Sequence, residues 1–210
     1  MMYPNQFYRI KQFLKNKILF KSINFENNIN FGSLRSNLFF SDLLKKSFFY
    51  FEFGSGSSSI LAKKLGKKFI SIECDKNFFN FMVKKKNIKN INFASIGPTL
   101  EYSYPLYISK NKAKNYISSI DKHFKTNNVP DLILVDGRFR VACCLNLLNF
   151  LEKINQKKTV ILLDDYSKRS HYRILKSFFL IKEVGRMAIL KPKSKKNFRN
   201  HLINFLSDPR

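Results

Sequence analysis

The sequence predicts an α/β fold built around a parallel sheet, and three neighbouring stretches carry that expectation. "SFFYFEF" (47–53) is an unbroken apolar and aromatic run of strand length, as a strand buried on both faces requires. "SSILAKKLG" (58–66) repeats its apolar residues at helical spacing and stops at Gly66. "KKFISIE" (67–73) is a second strand-length run. Strand, glycine turn, helix and strand make a βαβ unit. Its right-handed crossover brings the turn and the tip of the second strand to the same carboxyl edge of the sheet.

The turn itself, Gly54-Ser55-Gly56, excludes two common phosphate cradles. A P-loop needs Lys and then Ser or Thr after its last glycine, whereas Ser57, Ser58, Ser59 and Ile60 follow here. The dinucleotide pattern G-x-G-x-x-G fails because Ser59 stands where its third glycine belongs. What remains is Glu52 before the turn and Glu73 at the end of the second strand, 17 residues after Gly56. A carboxylate at that tip can accept both hydroxyls of a ribose. The expected ligand therefore contains a nucleoside and needs no diphosphate.

Composition sets the outer bounds. A chain of 210 residues is one domain by length and large enough to bury a core. No run of 18 apolar residues occurs, and the first 25 residues alternate charge with apolar groups, so no membrane insertion and a cytoplasmic location are expected. Cys74, Cys143 and Cys144 form no C-x-x-C pair and are expected as buried small hydrophobes. The net charge of +25 permits nucleic acid as a partner. That reading is not favoured, because lysine, asparagine, isoleucine and 23 phenylalanines with no tryptophan form a pattern that AT-rich coding produces. The basic runs 83–90 and 191–199 are accordingly expected as a helix end and a solvated tail. Tyr102, Tyr104 and Tyr107 are expected in the core, within a stretch that also holds a helix over 110–124.

The combination E-x-G-x-G (Glu52–Gly56) with E-x-D (Glu73–Asp75) resembles motif I and the ribose acid of class I S-adenosylmethionine (SAM)-dependent methyltransferases. Further stretches follow in that family's order. "NINFASIGPT" (90–99) resembles its third strand and adenine-side turn, "PDLILVDGRFR" (130–140) its fourth strand ending at Asp136, and "TVILLDDY" (159–166) its fifth. Residues 176–192 fit its closing antiparallel pair, and "IGPT", "VDGRFRV" and "GRMA" together resemble a group of small bacterial methyltransferase-like proteins. The resemblance implies a Rossmann-like, doubly wound, seven-stranded, mostly parallel sheet with an antiparallel last strand, and SAM as cofactor. It implies cofactor contacts at Glu52, Gly54, Ser55, Gly56, Glu73, Ser95 and Asp136. Residues 1–45 become a helical extension with helices expected at 4–16 and 34–46, residues 46–192 the SAM-binding domain, and 193–210 a basic tail.

Acids at strand ends carry the expected chemistry. Asp136, Asp164 and Asp165 should face the same crevice as the glycine turn. They match the Asp, Asp, Asn metal set of catechol-type O-methyltransferases except that Asp165 replaces Asn, and this extra charge with "GRFR" departs from that pattern, so no metal is expected. Helix capping is the structural alternative for Asp164 or Asp165. Asp136 and Asp165 are the leading general bases, ahead of His171, which is expected on the surface. Only nine arginines occur, and Arg138, Arg140, Arg169, Arg173 and Arg186 cluster after strands four and five or in the final turn. Salt bridges are weighed for Arg173 and Arg186. Arg138 is expected to grip a carboxylate or phosphate of the acceptor. The expected activity is O-methylation of a small polar, anionic or sugar-like molecule. RNA methylation and a non-catalytic nucleoside-binding or scaffolding protein are the alternatives, and the oligomeric state stays open.

Overall fold

The structure is a computed structural model and describes residues 28–124, 129–154, 158–193 and 198–210. The chain begins with helix α1 (Leu34–Lys46), then β1 (Phe49–Phe53), α2 (Ser57–Lys64), β2 (Lys68–Glu73), α3 (Lys76–Lys84) and β3 (Ile91–Phe93). Helices α4 (Lys110–Ile117) and α5 (Ser119–His123) precede β4 (Leu132–Val135), followed by α6 (Arg140–Lys153) and β5 (Val160–Leu163). Two short 3-10 turns, Tyr166–Lys168 and Ser170–Ser177, lead to β6 (Phe179–Val184), β7 (Met187–Pro192) and α7 (Arg199–Phe205). The seven strands form one sheet in the order β3-β2-β1-β4-β5-β7-β6, parallel except for β7. The expected architecture is the observed one.

Helix α1 matches its expected span. Ser33 caps it by accepting from the Ser36 N–H, and Phe40 and Leu44, one turn apart, bury its inner face. The expected helix over 110–124 breaks at Ser118 into α4 and α5. Apolar residues on the two sheet faces fill separate layers. Phe40, Tyr50, Phe69, Met82 and Leu134 pack under α1, α2 and α3, while Phe51, Phe53, Tyr116, Val135 and Leu145 pack under α4 to α7. All three cysteines are buried, as expected.

Two expectations are corrected. Tyr102 and Tyr107 are exposed, because the loop after β3 closes on itself through a Thr99–Pro105 bridge and turns them outward. Residues 198–210 are not a solvated tail. Phe198, Leu202 and Leu206 recur every fourth residue and return this segment to the core beside α6. The helix expected at 4–16 lies outside the described residues.

Strand register lines up the chemistry. Phe53 pairs with Ile72 and Val135, and Val135 pairs with Leu163. The next residues, Glu73, Gly54, Asp136 and Asp164, therefore stand in one row along the carboxyl edge. The row crosses the point between β1 and β4 where strand order reverses, the ligand-binding position of open α/β sheets. Gly54 has φ of +91°, and a Cβ there would stand 2.8 Å from the Gly137 backbone. Gly54→Ala should therefore destabilise the protein by about 2 kcal/mol or more, read as a lower urea midpoint with an unchanged m-value.

Candidate active site

Glu52 is fully buried and answers for the serine run beyond the glycine turn. Its carboxylate accepts hydrogen bonds from Tyr50 Oη (2.6 Å) and Ser58 Oγ (2.5 Å), and from the hydroxyls of Ser59 and Ser71. Four donors reach it from β1, α2 and β2, so Glu52 clamps the glycine turn from beneath instead of facing the crevice. Burial pushes its carboxyl up, against the pull of these hydroxyls. The expected direct contact between Glu52 and a ligand is corrected accordingly. Gly54 likewise serves an internal approach, to Gly137, before any approach by a ligand.

Glu73 closes the other side of the turn. Its Oε2 accepts from Ser55 Oγ at 2.7 Å and Ser55 N–H at 3.1 Å, and its Oε1 accepts from the N–H groups of Cys74 and Asp75, both at 2.8 Å. Burial raises its carboxyl while these donors lower it. The Oε2 atom already receives a hydroxyl, the donor type that a ribose presents. Asp75 next to it caps α3 through the Phe78 N–H and accepts from Thr99 Oγ1 at 2.5 Å, tying the loop after β3 to the tip of β2. Ser95 is exposed at the end of β3, where it accepts from the Gly97 N–H.

Between β4 and β5 the expected acids do not surround an open position. Arg140, 4% exposed, reaches back from the first turn of α6 into their midst. Its Nε donates to the Gly137 carbonyl (3.0 Å), Nη1 to the Asp164 carbonyl (3.0 Å) and Nη2 to the Asp136 carbonyl (3.1 Å). The same guanidinium lies 2.8 Å from the Asp136 carboxylate, 3.5 Å from that of Asp165 and 4.0 Å from that of Asp164. Asp165 is further paired with Arg169 (3.0 Å) and with Arg186, so both its oxygens are engaged. It stands at φ of +61° with no capping bond to the turn that follows. Asp165 is therefore a structural hub, a correction to its expected role as base.

Asp164 is held less completely. It is buried and its Oδ1 has no hydrogen-bond partner. Burial, and then the neighbouring Asp136 charge, push its carboxyl up to about 7, with Arg140 and Arg186 pulling the other way. Asp136 is the half-buried member of the pair, with a third of its side chain accessible to the crevice.

Other groups converge on the same edge. Among the described residues, six buried side-chain atoms lack a hydrogen-bond partner: Tyr116 Oη, Asp164 Oδ1, Tyr166 Oη, His171 Nε2, Tyr172 Oη and Arg186 Nε. Tyr116 Oη lies where a Cβ on Gly137 would stand, and the others belong to the turns after β5 and β6. His171, expected on the surface, packs against Tyr172 with ring centroids 4.4 Å apart. Arg138 makes no ion pair among the described residues, and burial followed by repulsion from Arg140 lowers its affinity for its proton. The last residues complete the rim, since Pro209 and Arg210 carbonyls accept from the N–H groups of Phe139 and Arg140. Arg140 belongs to the arginines expected beside the crevice, but no spacing rule in the sequence places it among the three acids or points to the C-terminal contact.

No protein-family model matches the sequence, and no curated protein does. Solved structures do. The chain is similar to a methyltransferase-like protein from Silicibacter pomeroyi DSS-3, with 24% identity and a TM-score of 0.68 over 88% of this chain and 100% of that one. It is also similar to the SAH-bound methyltransferase PaMTH1 of Podospora anserina (11% identity, TM-score 0.51, 91% of this chain and 89% of that one). The cofactor-bound protein Rv0187 from MTB matches at 11% identity and a TM-score of 0.52, over 89% of this chain and 90% of that one. The likeness is one of fold, the seven-stranded fold of class I methyltransferases.

Two stability effects follow from the Arg140 cluster. Arg140→Met leaves adjacent carboxylates without their cation and should cost about 3–5 kcal/mol, read by urea unfolding at pH 8. Asp164 holds its proton in the folded state up to about pH 7 but releases it at about pH 4 when unfolded, so its contribution to stability is lost as pH rises through 7. Asp164→Asn should accordingly raise Tm by several degrees at pH 8.5, on a scale of about 1.4 kcal/mol for each tenfold difference in proton affinity between the folded and unfolded chain. The gain should shrink as pH falls to 5.

Proposed function

We propose that the chain is a SAM-dependent methyltransferase that methylates an oxygen of a small polar acceptor, anionic or sugar-like. The observation that supports this best is the row Glu73, Gly54, Asp136 and Asp164 along the carboxyl edge, with an acid at the tip of β2 at one end and two neighbouring carboxyls at the other. The donor set fits the cofactor: Glu73 Oε2 receives a hydroxyl from Ser55, and a ribose hydroxyl replaces it in kind. Glu73 is the ribose acceptor, Ser55 and Gly56 line the turn beside it, and Ser95 stands at the base side.

Bound SAM supplies a sulfonium-activated methyl group, which an in-line displacement passes to the acceptor oxygen as the S–C electron pair returns to sulfur. The chain's own task is alignment and proton removal. Asp136, the accessible member of the pair, takes the acceptor O–H proton, and Asp164 beside it is poised near neutrality to share it. Arg140 positions both carboxylates through their carbonyls and does not touch the acceptor. Arg138, with no carboxylate of its own among the described residues, matches a carboxylate or phosphate on the acceptor.

Isothermal titration tests the cofactor half. Wild-type protein should bind S-adenosylhomocysteine, and Glu73→Ala should weaken binding by about 30-fold, the loss of the one charge-assisted hydrogen bond that replaces that of Ser55, with the fold intact by circular dichroism. Wild-type protein that binds NAD and neither SAM nor its product would contradict the reading. For the acceptor half, kcat/KM should rise through about pH 7 and level above it. Arg138→Lys should keep SAM affinity while raising the acceptor KM about tenfold. Unchanged turnover of the true acceptor would refute the anionic class.

A further inference from the structure

Helices α1, α2 and α3 all lie on one face of the sheet and all run toward its amino edge, away from the crevice. Each ends in a lysine pair: Lys45 and Lys46 on α1, Lys63 and Lys64 on α2, Lys84 and Lys85 on α3. A cation at a helix C-terminus complements the macrodipole, and Lys63 does so by donating to the carbonyls of Lys86 and Asn87. That explains one lysine for each helix end. It does not explain what lies between the helices.

There an open groove of about 750 Å³ runs between α1, α2 and the end of α3. Its floor is aliphatic, with Ile29, Leu38, Ile60 and Leu61, and its rim carries Lys63, Lys64, Lys85 and Lys86. Among the described residues, no acid, no arginine and no aromatic residue lines it. Leu34 and Leu38, one helical turn apart, are 73% and 57% exposed, and Phe48, two residues past Lys46, is 77% exposed. Three of the seven exposed large hydrophobic residues among those described thus fall in one stretch of α1 and its end. Asp42 is the lone acid of α1, against Arg35, Lys45 and Lys46.

We infer that this face docks on the surface of an anionic phospholipid bilayer. Lysines beside exposed aliphatic side chains match a layer of phosphate headgroups over hydrocarbon, where the ammonium groups stay at the headgroups and the leucines enter. A single-stranded or base-reading nucleic-acid partner calls for arginine forks or aromatic stacking platforms, which the described lining of the groove does not offer, and a duplex held through its phosphates by lysine leaves the exposed Leu34 and Leu38 without a use. Docking does not depend on the methyl-transfer reading.

Flotation of the full chain with phosphatidylcholine vesicles, with and without about one-third phosphatidylglycerol, tests the inference. Binding is expected only to the anionic vesicles, weakening as salt is raised. Lys64→Glu with Lys85→Glu should reduce it at least about tenfold. Leu38→Gln, which leaves the charge alone, should reduce it about threefold or more. Lys114→Glu with Lys122→Glu, on α4 and α5 at the opposite face of the sheet, should leave it unchanged, and unfolding midpoints identify any variant that fails to fold. Absence of vesicle binding, equal binding to neutral vesicles, or indifference to Leu38→Gln would overturn the proposal. So would a Lys64/Lys85 effect confined to a labelled RNA duplex, measured by fluorescence anisotropy.

Discussion

A single buried guanidinium organises the carboxyl edge. Arg140 spends three donors on the carbonyls of Asp136, Gly137 and Asp164, which joins the ends of β4 and β5, and its charge serves three carboxylates at once. A buried cation of this kind is costly to desolvate and is tolerated only where every donor finds an acceptor. That requirement dictates the neighbourhood. The Asp136 side chain approaches the guanidinium, Asp165 turns through a left-handed conformation toward Arg169 and Arg186, and Asp164 is left with one oxygen unpartnered. Three nearby acids are thus treated unequally: Asp165 is fixed by arginines, Asp136 is partly exposed, and Asp164 is buried with its carboxyl pushed up to about 7.

The other half of the edge is governed by Glu52 in the same manner, through a buried carboxylate in place of a buried cation. Its four hydroxyl donors bind the first strand to the helix after the glycine turn and to the second strand, and so fix the height of Ser55 and Gly56 beside Glu73. Contact of Gly54 with Gly137 then locks the two halves together at the point where strand order reverses. Both networks join the strands whose ends carry Glu73, Gly54, Asp136 and Asp164, so buried hydrogen bonds fix the positions of these groups.

Much of this was legible in the sequence where a signal is local. Apolar runs that end in acids mark β1, β2, β4 and β5, with Glu73 closing β2 and Asp136 just past β4, and the periodicity of 34–46 defines α1 to the residue. The misses have physical reasons. Glu52 finds its partners at Tyr50, Ser58, Ser59 and Ser71, a set that exists only after the βαβ unit closes. Asp164 and Asp165 are adjacent, and which one meets the arginines depends on a backbone turn that neither residue type announces. The α7 segment did carry a signal, Phe198, Leu202 and Leu206 at helical spacing, but the preceding lysines outweighed it.

Burial beside Asp136 pushes the Asp164 carboxyl up to about 7 within the arginine-held cluster. Carbon-13 NMR titration of aspartate side-chain carboxyls measures this directly. One resonance should titrate near pH 7 and be absent from Asp164→Asn, with its midpoint unchanged by moderate salt because the group is buried. A spectrum in which every aspartate carboxyl titrates at about pH 4 or below would contradict the account, since Asp164 would then not change protonation near pH 7, where kcat/KM is expected to rise.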